Sequence, residues 1–324
     1  MIFSLAITGP TASGKTAVSL GVAKALSGEI ISCDSMQIYK GMDIGTAKAT
    51  PEEQREVCHH LIDFLSPSES YSVEVYREAA ISSAADICSR GKIPIFVGGT
   101  GLYIDAVIRG VSADAPKSDP EYRKRLLGAV TDERSTIALW ERLRSVDPES
   151  AEKIHYNNVK RVIRALEIYD ATGRPKSELD RESRQSSSDI SVGMLTIDFH
   201  DRENLYRRVD SRVGVMMDMG LLSEVRALWE NGYLKEDTTA AQAIGYKEII
   251  AHLKGECTLD EAVETIKLSS RRYAKRQLTW FRHEEGVYRL FADRESGEMK
   301  DGEELRREAV EAAHAVLKRM KEET

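Results

Sequence analysis

The sequence predicts an α/β fold in which a parallel sheet is flanked by helices and carries a mostly helical insertion. Short apolar runs with strand character occur at 2–7, 29–33 and 93–97, and each precedes a turn and a segment with helical periodicity. Strands that alternate with helices form parallel sheets, because each helical crossover returns the chain to the same edge. From Gly110 to about Asp189 no clear strand occurs, which predicts the helical insertion.

The length of 324 residues exceeds that of one typical domain. We therefore expect a discontinuous catalytic core formed by 1–110 and 190–324, with the insertion at 111–189. The four cysteines are far apart, which argues against a zinc site or a disulfide framework and favours the reducing cytoplasm. No apolar stretch is long enough to span a membrane, and the N-terminus lacks the cationic start of a signal peptide.

The first turn of the predicted core matches the phosphate-loop pattern G-x-x-x-x-G-K-[ST] at every position. Its residues are Gly9, Pro10, Thr11, Ala12, Ser13, Gly14, Lys15 and Thr16. The strand 2–7 precedes it and a helix over 15–26 follows it, which is the context that the motif requires. The core is therefore predicted to be P-loop NTPase-like.

The chemistry of this loop is anion binding. Small residues let successive backbone N–H groups point at a phosphate, and the unpaired N–H groups and dipole of the next helix favour negative charge. Lys15 adds a positive charge, and the Thr16 hydroxyl is suited to a Mg²⁺ ion beside the phosphates. The loop alone does not identify the molecule that carries those phosphates.

Two further turns are predicted to meet the phosphate loop at the carboxyl edge of the sheet. Asp34 follows the second strand, and Thr100 lies in the turn Gly98–Tyr103 after the third. By itself, Asp34 is equally compatible with a metal ligand, a general base or a helix N-cap. Residues 40–72 predict a long functional loop with a short helix near Pro51. Its His59 and His60 favour a structural role over a metal site.

The remaining segments follow in order. A helix over 72–90 precedes the third strand, and another runs to about Arg109. The clearest helix of the insertion covers 158–172. The core then resumes with a strand at 192–199, one helix over 202–222 that carries Arg208 and Arg212, a helix from Leu259, a strand at 287–291 and a charged C-terminal helix.

Two basic segments interrupt an otherwise acidic chain of net charge -7. One lies between Lys153 and Arg164, the other between Lys267 and His283, and neither contains an acidic residue. Each segment has two readings, a polyanion-binding surface or a solvated helix face. Helical spacing places Lys160 with Arg164, Arg271 with Lys275, and Arg272 with Arg276 one turn apart.

Seven motifs in order resemble the tRNA dimethylallyltransferases, over about residues 3 to 283. They are the phosphate loop 9–16, Asp34-Ser35-Met36-Gln37-Ile38-Tyr39, Asp43-Ile44-Gly45-Thr46-Ala47-Lys48, His59-His60-Leu61-Ile62-Asp63, Gly98-Gly99-Thr100-Gly101-Leu102-Tyr103, Arg161-Val162-Ile163-Arg164-Ala165-Leu166-Glu167 and Arg276-Gln277-Leu278-Thr279-Trp280-Phe281-Arg282.

The resemblance implies transfer of a dimethylallyl group from dimethylallyl diphosphate to the N6 amine of adenosine 37 of tRNA, with Mg²⁺ as cofactor. Asp34 would be the general base, while Thr100, Arg212 and Lys15 would act on the diphosphate. The implied RNA-binding residues in the core turns and in the insertion are Asp34, Ser35, Met36, Gln37, Thr100, Arg123, Lys160, Arg161, Val162, Ile163 and Arg164. Arg271, Arg272, Lys275 and Arg276 are predicted to line the path of the anticodon stem-loop. We expect a cytoplasmic monomer.

Three other functions are compatible with parts of the pattern. A P-loop kinase or ATPase would need an acidic residue at the end of an apolar strand. The third strand ends in glycine, and Asp198 is a weaker candidate. A non-catalytic RNA-binding protein would not need the convergence of Lys15, Asp34 and Thr100. A prenyltransferase for free adenine nucleotides would need neither the insertion nor the second basic segment.

Overall fold

The computed structural model describes residues 2–110, 119–185, 190–236 and 238–322, and a six-stranded sheet is its central feature. The strands are β1 (Ile2–Thr8), β2 (Gly28–Ser32), β3 (His59–His60), β4 (Ile93–Gly98), β5 (Ile190–Asp198) and β6 (Tyr288–Phe291). Their order across the sheet is β3-β2-β4-β1-β5-β6, and every neighbouring pair is parallel. The predicted α/β class is confirmed. The two-residue strand β3, inside the predicted loop 40–72, was not predicted.

The central strand β1 is buried on both sides. Leu5 and Ile7 pack into one hydrophobic cluster, and Ala6 packs into another on the opposite face. Leu5 pairs with Ile95 on β4 and with Gly193 on β5. Successive side chains of a strand point to opposite faces, so a central strand covered by helices on both faces reads as one continuous apolar run.

Contacts along the chain divide it into two compact units, Met1–Ile108 with Asp189–Thr324, and Arg109–Ser188. The predicted boundaries at 111 and 189 themselves lie outside the described residues. The helices of the first unit are α1 (Lys15–Leu26), α2 (Pro51–Glu56), α3 (Val73–Ser89), α4 (Gly101–Arg109), α10 (Arg202–Asp218), α11 (Leu221–Glu230), α12 (Tyr246–Leu253), α13 (Leu259–Arg282) and α14 (Gly302–Glu322).

Helices cover both faces of the sheet. Helices α1 and α14 pack with each other and with the cluster that contains Leu5, whereas α3 and α4 supply side chains to the cluster that contains Ala6. Helices α11 and α12 form a further cluster with the loop after β2, in which Met42 and Tyr246 are fully buried. This cluster supports the loop on which Asp34 lies.

The predicted helix 202–222 is wrong in one respect, because two helices occupy this region. Helix α10 ends at Asp218, and α11 begins at Leu221. Gly220 between them has a φ of 101°. This left-handed conformation interrupts the helix, and glycine adopts it without the clash that a Cβ would cause.

The second unit is helical in its described residues. Its helices are α5 (Pro120–Gly128), α6 (Glu133–Val146), α7 (Pro148–Lys153), α8 (Val159–Thr172) and α9 (Lys176–Gln185). Two or three helices were predicted here. Asp119, Asp132 and Asp147 each accept a backbone N–H in the first turn of the following helix. Such N-caps allow short helices to begin close together.

Candidate active site

A cavity of about 690 Å³ opens at the carboxyl edge of the sheet in the first unit. The phosphate loop after β1, Asp34 after β2 and Gly98–Gly99 after β4 line it, together with Arg212 of α10 and Tyr273 of α13. The structure therefore brings together the three turns that the sequence predicted to meet. Thr100 directly follows the lining residue Gly99, and its side chain is directed to Ser35, as described below.

The phosphate loop adopts a conformation in which side chains would crowd the backbone. Gly9 has a φ of 144°, and a Cβ there would lie 2.9 Å from the carbonyl oxygen of Ile197. Lys15 Nζ donates to the carbonyl oxygen of Pro10 at 2.7 Å, which folds the side chain over the loop. The buried Ser13 hydroxyl has no hydrogen-bond partner among the described residues. The loop thus holds a cation and a polar group ready for an incoming anion.

Positive charge dominates this side of the cavity. Loss of hydration and, to a smaller extent, the charge of Arg212 lower the pKa of Lys15 to about 7, against the opposing effect of Asp34. Burial also lowers the pKa of Arg212. Lys15 and Arg212 repel each other, and Asp34 compensates them only in part. Binding of an anion with several negative charges is therefore favourable here.

Asp34 follows β2 and lines the same cavity as these cations. Its Oδ1 accepts the backbone N–H of Met36 at 2.9 Å, which turns the chain and leaves the carboxylate on the cavity wall. The next residue, Ser35, donates its backbone N–H to the Thr100 hydroxyl at 3.2 Å. This contact ties the turn that carries Asp34 to the turn that carries Thr100. The N-cap reading of Asp34 is wrong, since the following residues form turns and not a helix.

The glycines after β4 allow a close approach of two other chain segments, the turn at Cys33 and helix α13. A Cβ on Gly98 would lie 2.2 Å from the carbonyl oxygen of Cys33, and one on Gly101 would lie 2.7 Å from the Trp280 ring. The backbone N–H of Thr100 donates to the same Cys33 oxygen at 3.2 Å. Larger residues would separate these turns, so the glycines serve close packing.

The loop after Asp34 is braced from within. Gln37 Nε2 donates to the carbonyl oxygens of Thr46 and Ala47, at 3.2 Å each. Lys48, whose side chain is 4% exposed, contacts Asp43 and Asp63 at 2.6 Å. The Gln37 amide, predicted to bind RNA, therefore holds the loop, and the motif Asp43–Lys48 has a structural role.

Three residues that support the site were not identified from the sequence. Arg208 Nε donates to the carbonyl oxygen of Ala12 in the phosphate loop at 2.8 Å. The sequence places Arg208 on the same predicted helix as Arg212, but no role was predicted for it. Tyr273 and Gln277 lie one turn apart on α13 and both line the cavity. Helical periodicity could have revealed this face, but the charges of the segment dominated the interpretation.

In the second unit, the predicted RNA-binding residues fall into three groups. Lys160 and Arg161 are exposed, whereas the side chains of Val162 and Ile163 are buried. Of these four residues, Lys160 and Arg161 are therefore the ones whose side chains can contact an RNA.

Arg123 and Arg164 both bind the buried carboxylate of Glu167, at 2.8 Å and 2.6 Å. That carboxylate also accepts the backbone N–H of Asp119. Burial would raise the pKa of Glu167, but these hydrogen bonds lower it below the usual value. The two arginines are thus held in place by an internal ion pair and are only partly available to an external anion.

The four predicted cations of α13 also differ. Arg271 is paired with Asp210 of α10 at 2.6 Å. Arg272, Lys275 and Arg276 are exposed, and Arg276 lies over the ring of Tyr273 at 5.6 Å and reaches the cavity. A second cavity of about 370 Å³ lies between α10 and α13 and is lined by Tyr206, Leu268, Arg272 and Lys275 among others. Arg272 and Lys275 make no ion pair within the part of the chain that the structure describes, and the Tyr206 ring lies beside them in this cavity. Such a surface suits single-stranded RNA.

His60 takes part in an ion network at the edge strand β3. The buried carboxylate of Glu29 binds Arg90, Lys92 and His60, and Cys58 lies beside His60. Within the described part of the chain, Glu29, Cys58 and His60 are the one group with metal-ligand spacing. Because two cations already neutralise Glu29, the structural interpretation of His60 fits these contacts.

The comparisons with known proteins agree with one another. A family model described as IPP transferase matches residues 37–284, and one described as isopentenyl transferase matches residues 3–63. A tRNA dimethylallyltransferase of Acetivibrio thermocellus is 49% identical over 289 residues, which are 89% of this chain and 91% of the relative. One of Geobacillus thermodenitrificans is 52% identical over 280 residues, 86% of this chain and 87% of the relative.

Solved structures are similar over most of the chain. The full-length tRNA isopentenylpyrophosphate transferase of Bacillus halodurans is 41% identical with a TM-score of 0.71, and the match covers 99% of both chains. A eukaryotic dimethylallyltransferase acting on tRNA is 30% identical with a TM-score of 0.75, over 90% of this chain and 74% of that one.

Proposed function

The chain belongs to the family of IPP transferases, and from this premise we propose that it transfers a dimethylallyl group from dimethylallyl diphosphate to the N6 amine of adenosine 37 in tRNA. The observation that carries the proposal is the meeting of the phosphate loop, Arg212 and Asp34 in one cavity. The cations and loop N–H groups suit a diphosphate, and the Asp34 carboxylate on the wall of the same cavity suits an acceptor that must lose a proton.

The proposed donor site consists of the loop 9–16 with Lys15 and Arg212. As the allylic C–O bond breaks, negative charge grows on the diphosphate, and fixed cations and N–H dipoles stabilise that charge. Thr100 holds the neighbouring turn through Ser35 and is proposed to contact the diphosphate once it is bound.

The proposed acceptor chemistry rests on Asp34. The exocyclic amine of adenine is a weak nucleophile because its lone pair is delocalised into the ring. As N6 bonds to the allylic carbon and the diphosphate leaves, a proton passes from N6 to the Asp34 carboxylate. General-base assistance of this kind is worth ~10²–10⁴ in rate.

Mg²⁺ fits the donors that the cavity offers. The hydroxyl groups of Thr16 and Ser13 supply oxygen atoms in the loop, and the Ser13 hydroxyl lacks a partner among the described residues. Hard cations such as Mg²⁺ prefer oxygen ligands, and in sites for phosphorylated substrates they bind phosphate oxygens together with a few protein oxygens. We propose that Thr16 holds the ion, which when bound would add positive charge against the leaving diphosphate.

Each unit offers cations to an RNA. In the first unit these are Arg272, Lys275 and Arg276 on α13, and in the second they are Lys160 and Arg161 on α8. A base must leave its stack to reach a carboxylate on a cavity wall, and bases of an anticodon loop unstack more readily than those of a duplex. The proposal therefore names the anticodon stem-loop as the bound part of the tRNA.

No helix in the described part of the chain has the length and apolar character of a membrane span. All four cysteines are free thiols, which suits a reducing compartment. We propose that the protein acts as a monomer in the cytoplasm.

The kinase or ATPase alternative is weakened at Asp198. This carboxylate is 2% exposed, pairs with Arg282 at 2.7 Å and accepts the backbone N–H of Phe199. It therefore balances an internal cation, whereas a Mg²⁺ ligand of a P-loop kinase must face the phosphates.

One experiment tests the proposed function directly. The protein is incubated with Mg²⁺, labelled dimethylallyl diphosphate and unmodified tRNA, and the RNA is digested to identify the labelled nucleoside. We expect label on N6 of adenosine 37, none on a tRNA with guanosine at position 37, and none on free AMP. Label on AMP, or ATP hydrolysis that ignores the prenyl donor, would contradict the proposal.

A further inference from the structure

Gln277 lies on the cavity side of α13 and joins two of the turns that form the candidate donor site. Its side chain is 6% exposed. Its Oε1 accepts the backbone N–H of Thr11 in the phosphate loop at 2.9 Å, and its Nε2 donates to the carbonyl oxygen of Gly99 at 2.8 Å. One amide group thus connects a residue of the loop after β1 with a residue of the turn after β4.

The orientation of this amide is determined by its partners. A backbone N–H can only donate, so the atom that faces Thr11 must be the oxygen. A backbone carbonyl can only accept, so the atom that faces Gly99 must be the nitrogen. Among the uncharged side chains, a primary amide is the group that offers both functions on one planar centre.

The two partners lie at positions where small shifts matter. Thr11 is in the middle of the phosphate loop, so its N–H bond to Gln277 fixes how the neighbouring N–H groups point into the cavity. Gly99 directly precedes Thr100, which holds the turn of Asp34 through Ser35. A Cβ on Gly99 would lie 2.1 Å from Gln277 Nε2, so the turn packs directly on the amide.

We propose that Gln277 is a positioning residue that holds the phosphate loop and the Thr100 turn at one fixed spacing, so that donor cradle and general base are aligned when the substrates bind. The proposal rests on the proposed function, since it assigns Gln277 to the same site. Alignment of this kind matters because a displacement of about 1 Å in a reacting group can cost on the order of 10²-fold in rate.

A carboxylic acid provides a switchable test of this role. In Gln277→Glu, the neutral acid has the shape of the amide, with a carbonyl that accepts from Thr11 and a hydroxyl that donates to Gly99. The ionised form loses the donor and places a negative charge against the Gly99 oxygen. Gln277→Met keeps the approximate volume and removes both hydrogen bonds at every pH.

The experiment measures kcat and KM for prenyl transfer from about pH 5 to about pH 8.5, with each variant expressed as a ratio to the wild type at the same pH. Tyr273 and Arg276 of α13, Lys15 and Asp34 line the same cavity. These groups are the same in the wild type and in every variant, so the ratio removes their contribution to the pH profile to first order. Thr279→Val, an exposed position two residues along α13, is the matched control for changes in the helix.

We expect Gln277→Glu to approach wild-type kcat at the acid end and to lose about tenfold or more as the new carboxyl ionises. Gln277→Met should be slow at all pH, and Thr279→Val should match the wild type. If both Gln277 variants stay within about twofold of the wild type throughout, the proposal is overturned. A loss of equal size in both variants that does not change with pH would also overturn it, since it would show a packing role alone.

Binding of inorganic pyrophosphate, measured by calorimetry, separates this proposal from the proposed function. Weaker pyrophosphate binding by Gln277→Met supports the positioning role even if the wild type transfers no prenyl group to tRNA. Unchanged pyrophosphate binding together with unchanged kcat contradicts the positioning role even if prenyl transfer to tRNA is confirmed.

Discussion

The hydroxyl of Tyr246 donates a hydrogen bond of 2.6 Å to the carboxylate of Glu224, which also accepts the backbone N–H groups of Asp43, Ile44 and Gly45. Tyr246 is fully buried, and a Cβ on Gly45 would lie 2.5 Å from its ring. One carboxylate of α11 thus anchors the loop that extends from Asp34, and it does so 181 residues along the chain from Asp43.

Glu224→Gln is expected to destabilise the protein. The amide keeps one acceptor oxygen but turns a donor toward N–H groups, so at least one charge-assisted hydrogen bond is lost, at a cost of about 1.5–3 kcal/mol. Urea unfolding monitored by circular dichroism measures the free energy of unfolding. Tyr246→Phe removes one donor and leaves the three N–H contacts, so it should lower the free energy of unfolding by less than Glu224→Gln does. A larger loss for Tyr246→Phe would show that the Tyr246 hydroxyl contributes more to stability than the N–H contacts of Glu224.

Asp34→Asn is expected to abolish most turnover and to leave tRNA affinity nearly unchanged. The amide keeps the shape of the carboxylate and can still accept the Met36 N–H, but it cannot take a proton. The expected loss in kcat is on the order of 10²–10⁴. Steady-state kinetics and filter binding of tRNA give the two quantities. A variant whose loss appears only in KM, or one with wild-type kcat, would assign the base to another group.

The phosphate loop is expected to prefer dimethylallyl diphosphate over ATP. The cavity presents cations and loop N–H groups for a diphosphate, and no adenine-binding element was recognised beside the loop in the sequence. Calorimetric titration of the protein with each ligand in the presence of Mg²⁺ measures the two dissociation constants. Tighter binding of ATP, with hydrolysis that the prenyl donor does not affect, would favour the kinase or ATPase function.

Removal of the exposed cations is expected to weaken tRNA binding and to reduce its salt dependence. The variants are Lys160→Ala with Arg161→Ala, and Arg272→Ala with Lys275→Ala. Each lost phosphate contact should lower the slope of log K against log salt by ~0.7 in a single-stranded region and ~0.9 in a duplex-like region.

Affinity for dimethylallyl diphosphate should remain at the wild-type value in both double variants. Arg144→Ala with Arg134→Ala, two exposed cations of α6 outside both basic segments, serves as the charge-matched control. If the tRNA dissociation constant and the slope do not change, the basic segments are solvated helix faces.

Glu29→Gln is expected to remove part of the acid sensitivity of the fold. The hydrogen bond from Arg90 holds the pKa of Glu29 well below its usual value, with further help from Lys92 and His60, against the opposing effect of burial. Because the folded-state pKa is depressed, this stability is fully present above the unfolded pKa of about 4.3 and is lost as pH falls toward the folded-state pKa.

The Gln variant should lose about 1–3 kcal/mol of unfolding free energy at pH 7 and show a smaller difference from the wild type as the pH falls below about 4. Urea unfolding at a series of pH values measures both. A difference from the wild type that stays constant across the acid range would show that the Glu29 charge is not linked to folding.

Local sequence patterns were sufficient to predict the parallel sheet and the position of the candidate site on it. The apolar run before Gly9 is typical of a strand buried on both faces, and a G-K-T turn after such a run is typical of a loop that leads into a helix at the carboxyl edge of a sheet. The placement of Lys15 and Asp34 on one cavity follows from the same rule, since parallel strands end on the same side. Helix α1 begins and ends at the predicted residues, Lys15 and Leu26.

Contacts between distant residues required the tertiary structure. The partners of Gln277 lie 266 and 178 residues away, and the backbone N–H groups that Glu224 binds lie 179 to 181 residues away. No periodicity encodes such distances. Val162 and Ile163 belong to a motif read as RNA-binding, yet burial removes their side chains from any surface. A single sequence reports what each segment prefers, whereas which polar groups meet in the interior depends on how the segments pack, because a buried hydrogen bond forms only between groups that the fold brings within about 3 Å.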